Sequence, residues 1–280
     1  MTDNTPEQNL IIHTDHFVSS GEISRTLKDS FNNVAFIEAS GEDLKRGGLL
    51  DPQKTLAYFL PGISGDHSPY NDQIGPAGNA EIRRYVENGG VFVGTCAGAY
   101  YACEHIVYDA PWIYPAKTNR PGLNFFNALA HGPVRSNAIQ AQDDQWFGDC
   151  SVISVRYKDK DGTEKPGGIA YGNGPALIPR DPNDPDLEII ARYDDTPNND
   201  IALAVQRVGK GLAIFMGVIP YIRYDEQYAG SPFPKLAALT ADLQKHEESR
   251  SEVWSLLMDR IQQHHFDLGT LNKAVLRHQP

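Results

Sequence analysis

The sequence predicts an α/β fold, with a mostly parallel central sheet and helices on both faces. Three observations carry this. Short apolar runs alternate with amphipathic segments through the first half of the chain. The run Val91 to Gly94 is apolar throughout, as a strand buried on both faces must be. The second half then adds further strands at close spacing.

Taken in order, Leu10 to Thr14 reads as a first strand ending in a polar turn. Ser19 and Ser20 offer a cap for a helix whose stripe is Ile23, Leu27 and Phe31. Val34 to Ile37 is a second strand. Thr55 to Leu60 is a third, stopped by Pro61-Gly62. Asn79 is placed to cap a helix with Ile82, Tyr85 and Val86 on one face, closed by Gly89-Gly90. Strands follow at Ser151 to Tyr157, Glu188 to Tyr193, Ile201 to Val208 and Leu212 to Gly217. Asp161-Gly162 and Gly209-Lys210-Gly211 supply turns, and Arg180 to Asp186 is a proline-interrupted solvated loop. A last helix runs from about Ser251 to Phe266. Its apolar residues are Val253, Leu256, Leu257 and Ile261, and His264-His265 are expected to be exposed. The whole of 1–280 reads as one domain, with a core over about 10–266 and a loose tail at 268–280.

Composition narrows the function. Lys and Arg number 25 against 36 Asp and Glu, a net charge of −11. Binding nucleic acid through its phosphates needs clustered cations, so none is expected as a partner. No apolar run reaches the roughly 20 residues that span a bilayer, and the N-terminus MTDNTPEQNL has no secretory pattern. Three cysteines, Cys96, Cys103 and Cys150, make no disulfide framework. A reducing, cytoplasmic setting and a small-molecule ligand are the expectation.

The strongest chemical signal is Val91-Phe92-Val93-Gly94-Thr95-Cys96-Ala97-Gly98. A buried strand turns sharply into a helix, with small residues on both sides of the cysteine. This is what a nucleophile elbow requires, since only small neighbours let strand and helix pass so closely. A sulfur at the helix start is expected to have a lowered pKa. The loop Pro61 to His67 leaves the C-terminal end of a strand, where α/β sheets bind ligands. The Gly62 and Ile63 N–H groups, with that of Ala97, are the candidate oxyanion donors.

These residues resemble a family. Leu60-Pro61-Gly62, Pro69-Tyr70, Gly78 to Arg83 and the Cys96-Ala97-Gly98-Ala99-Tyr100-Tyr101 core are similar to the N-terminal domain of biotin–protein ligases, which also occurs free-standing in bacteria. Arg120 to Phe126, His131-Gly132-Pro133, Tyr171 to Pro175 and Val208 to Gly211 extend the likeness over most of 10–265. The resemblance implies a three-layer α/β/α fold of the class I glutamine amidotransferase-like (flavodoxin-like) type, with Cys96 at the elbow. It also exposes a departure. Relatives in that superfamily carry Gly-x-His-Pro-Glu after the late strand, and this chain has Gly217-Val218-Ile219-Pro220-Tyr221. Isoleucine takes no proton, so the Cys-His-Glu relay is broken. No Gly-Arg-Gly-Arg-type loop is present, so biotin ligation by this chain alone is not expected.

Substitute bases are His67 with Asp66, or Asp15 and His16 at the end of the first strand; Glu104 and His105 lie beyond the elbow. His13, Asp15 and His16 are ligand types without a fourth member, so no metal and no cofactor is expected. Cys103, seven residues and about two helical turns after Cys96, reads as core. Cys150 opens a strand and carries no motif. Tyr100 is a core aromatic that could also meet a ligand; Tyr101, Trp112, Phe125 and Phe126 read as core or pocket wall. Two functions follow. One is a cysteine-dependent hydrolase or transferase acting on an amide or acyl group with a non-standard base. The other is a catalytically silent module of the same fold that binds a small ligand or regulates a partner. A redox sensor acting through Cys96 is a third, weaker reading.

Overall fold

A computed structural model describes residues 8–15, 21–63, 69–110, 114–118, 122–134, 150–194, 196–224, 234–269 and 275–276. The parallel core has five strands in the order β3(Val34–Ala39), β1(Gln8–His13), β4(Thr55–Leu60), β5(Val91–Thr95) and β14(Gly211–Met216). Side chains alternate across it. Leu10, Ile12, Phe59, Val91 and Val93 face one hydrophobic core, closed by α1(Gly21–Ser30), α5(Pro234–Lys245) and α6(Glu247–Asp267). Ile11, Tyr58, Leu60 and Phe92 face a second core, closed by α2(Gly41–Arg46), α3(Pro69–Glu87) and α4(Ala97–Ala102). Two cores on the two faces of one sheet make the expected three layers.

Further strands extend this sheet through mostly antiparallel pairs. β13(Ile201–Val208) pairs with β14 and then with both β11(Ala176–Pro179) and β12(Leu187–Tyr193). β11 leads to β8(Phe126–Gly132), β6(Cys103–Ala110) and β7(Tyr114–Thr118), with β6 and β8 parallel to each other. β12 leads to the hairpin β9(Ser151–Lys158)–β10(Glu164–Tyr171), whose turn places Gly162 at φ 79°.

Several expectations are corrected. Asn79 does not cap a helix: α3 begins at Pro69, breaks at Gly75 (φ 62°), and carries Asn79 in its interior. There its amide oxygen accepts from the Tyr101 hydroxyl at 2.9 Å. The helix after Cys96 has only six residues, so Cys103 opens strand β6; it is buried all the same. His264 and His265 are buried, not exposed: His264 Nε2 meets Gly89 O at 2.9 Å, and His265 Nε2 meets Leu56 O at 2.7 Å. Leu56 is the residue passed over where the β1–β4 register shifts, so its carbonyl needs a partner from outside the ladder. Within the tail, β15(Val275–Leu276) pairs with β2(Phe31–Asn32). Ser19, Ser20 and Trp112 lie outside the described residues. Among those described, no helix is long and apolar enough to cross a membrane.

Candidate functional site

Cys96 sits between β5 and α4 with φ 49° and ψ −109°, in the left-handed half of backbone space. The flanking glycines show why small residues are needed. A Cβ on Gly98 would stand 2.1 Å from Leu60 O, and one on Gly94 would stand 2.7 Å from Gly98 O. The Cys96 N–H donates to Met216 O at 2.8 Å, tying the turn to the end of β14. Gly62, past the end of β4, lies against the cysteine: a Cβ there would be 3.3 Å from Cys96 Cβ and 3.8 Å from Sγ.

The thiol departs from the sequence expectation of a lowered pKa. Cys96 retains some exposed surface, yet the crowding of protein around its sulfur pushes the thiol up to about 12. Desolvation disfavours the thiolate and outweighs the Ala97 N–H that favours it. The thiol acts as a hydrogen-bond donor to Gly172 O at 3.1 Å.

Ile219 and Tyr221 follow β14. Ile219 is buried, and its N–H donates to Ala170 O at 2.7 Å. Tyr221 is fully buried near Cys96 and Cys150, and burial is the main cause of its raised pKa. The Gly62 N–H and Thr95 face its phenol, but neither Tyr221 Oη nor Thr95 Oγ1 makes a well-formed hydrogen bond. The segment is clamped from both neighbouring helices. Thr26 Oγ1 donates to Tyr221 O at 2.8 Å, and Arg250 Nη1 donates to Pro220 O at 2.6 Å. Sequence reading did not foresee this phenol beside the thiol, although the Tyr221 replacement was its signal.

The candidate bases are elsewhere or undescribed. Asp15 Oδ2 accepts the Gly41 N–H at 2.8 Å and lies 3.1 Å from His13 Nε2. His13 is fully buried, shares a hydrogen bond with the Tyr58 hydroxyl at 3.0 Å, and is held low by burial. His105 lies on β6, about 3.7 Å from Glu104. His16, Asp66 and His67 lie outside the described residues. Among the described residues, no imidazole or carboxylate hydrogen-bonds the Cys96 sulfur, and no group of three or more His, Cys, Asp or Glu could hold a metal ion. Ile63 is buried in the second core. Ala97 opens α4, while Tyr100 is buried with its hydroxyl 3.1 Å from Asn173 O.

Residues 50–274 match the family described as biotin-protein ligase, N terminal. The chain belongs to that family. An uncharacterized protein of Chlamydia muridarum (strain MoPn / Nigg) is 26% identical over 211 residues, which are 75% of this chain and 76% of that one. A biotin–protein ligase of Schizosaccharomyces pombe (strain 972 / ATCC 24843) is 23% identical over 172 residues, covering 60% of this chain but 26% of its own length. Among solved structures, a glutamine amidotransferase from Thermotoga maritima aligns with 91% of this chain and 98% of its own, with a TM-score of 0.52 at 10% identity. At that identity the likeness speaks to the fold alone, and the fold is glutamine amidotransferase-like.

Proposed function

We propose that this family member is a small-ligand-binding or regulatory module that keeps the amidotransferase-like elbow without its hydrolytic relay. The observation that carries this reading is the Cys96 thiol donating its proton to Gly172 O while burial holds it up to about 12. A nucleophile has to lose that proton, and the positions after β14 that would serve a relay hold Ile219 and Tyr221. Ligase activity, named for the S. pombe relative, is no part of this reading, because the alignment covers only 26% of that protein.

One observation favours a second reading, acyl or amide chemistry at Cys96 with a non-standard base. The φ of 49° at Cys96 is the strain that an elbow nucleophile carries. Cys96 alkylation followed from pH 6 to 10, with Cys96→Ser as control, separates the two. The binding reading expects no titration below the free-thiol value of about 8.5 and no Cys96-dependent ammonia release from glutamine. Titration below that value, or Cys96-dependent ammonia, overturns it.

A further inference from the structure

Four consecutive carbonyls beside Cys96 each receive a side-chain donor, and the donors come from three places: α4 with its N-cap, the end of β10 and the end of β12. Cys96 Sγ donates to Gly172 O at 3.1 Å, and the Tyr100 hydroxyl of α4 donates to Asn173 O at 3.1 Å. The Tyr171 hydroxyl, at the end of β10, donates to Gly174 O at 3.0 Å; the Tyr193 hydroxyl, at the end of β12, donates to Pro175 O at 2.9 Å. Tyr100, Tyr171 and Tyr193 are fully buried. The backbone is shaped for this. Asn173 has φ 60°, and Gly174 packs so tightly that a Cβ would stand 2.0 Å from Gly217 O. Gly172 is flanked by Cys150 and Ile219: a Cβ there would be 3.3 Å from Cys150 Sγ and 3.3 Å from Ile219 Cδ1.

Ordinary loops satisfy their carbonyls with water or with their own backbone. This segment instead takes its donors from side chains, three of them buried phenols, and one of its carbonyls occupies the thiol itself. We propose that Gly172–Pro175 is an autoinhibitory strap, and that the Gly172 carbonyl stands on Cys96 where the carbonyl of an acyl or amide ligand would stand. Such a ligand reaches the thiol only when the strap lifts, and lifting requires the phenolic pegs to let go. The proposal rests on the neutral-thiol reading above and assigns its ligand class.

The test is the rate of Cys96 alkylation by iodoacetamide in the full chain, read by peptide mass spectrometry. The wild type is compared with Tyr100→Phe, Tyr193→Phe and the double variant. Cys103 is fully buried and reports global unfolding in the same samples. Each lost peg is expected to raise Cys96 labelling about fivefold, and the double variant about 25-fold, with Cys103 unchanged. Cys96 rates equal to wild type overturn the strap, and so does a rise that Cys103 shares. Failure of the neutral-thiol reading shows separately, as wild-type Cys96 labelling that titrates below about 8.5.

Discussion

Acidification should weaken this protein through His265 well before its carboxylates are protonated. The imidazole is fully buried, and Nε2 must carry the proton because its partner, Leu56 O, only accepts. Burial lowers its pKa from 6.5 to about 4, despite that hydrogen bond. The unfolded chain therefore binds a proton near pH 6.5 that the folded chain refuses until about pH 4. Stability is retained above 6.5, falls through that window and levels off below it. The slope is about 1.4 kcal/mol per pH unit, so about 2 kcal/mol is lost between pH 6.5 and 5, and about 3.4 kcal/mol by pH 4. His13, also held low by burial, adds loss in the same direction. The assay is urea unfolding followed by circular dichroism at pH 7, 6 and 5, for wild type and His265→Gln. The variant should lose about 2 kcal/mol less than wild type between pH 7 and 5. Parallel curves for the two proteins would refute the reasoning.

Two further perturbations test the packing around the site. Gly98→Ala places a methyl group 2.1 Å from Leu60 O, a backbone atom that cannot swing aside. A loss of about 3 kcal/mol or more is expected, seen as a large drop in Tm, and a drop of a degree or two would contradict the close approach at the elbow. Tyr85→Phe removes a buried hydroxyl that donates to Thr55 O at 3.0 Å and accepts from the Val91 N–H at 3.1 Å. Orphaning both groups should cost about 2 kcal/mol in urea unfolding, and a neutral result would show that the pair finds other partners.

Much of the fold was legible because its signals are local. Thr55–Leu60 and Ile201–Val208 coincide with the apolar runs that mark them, and alternate residues of the parallel strands supply two separate cores. Gly94 and Gly98 marked the tight strand-to-helix turn at Cys96 for the reason the structure shows, the lack of room for a Cβ. Other elements left weak traces. β6 and β8 lie in the extension of the sheet, a parallel pair flanked by antiparallel partners, where non-local pairing decides. The start of α3 was hidden because Gly75 and Pro76 are breakers, and they do divide α3, leaving a short helical segment ahead of Gly75 that carries no marked periodicity.

By itself, the sequence determined the family, the layered α/β fold and the place of Cys96 between a strand and a helix. Each of these lies in residue type and short-range spacing. The state of the thiol was decided only in three dimensions. The start of a short helix after Cys96 argued for a lowered pKa, but the crowding around the sulfur acts in the opposite direction and wins. The carbonyl that accepts its hydrogen bond belongs to Gly172, 76 residues away along the chain. Desolvation and long-range hydrogen bonds depend on which segments the fold brings together, and no local pattern in the chain encodes that meeting.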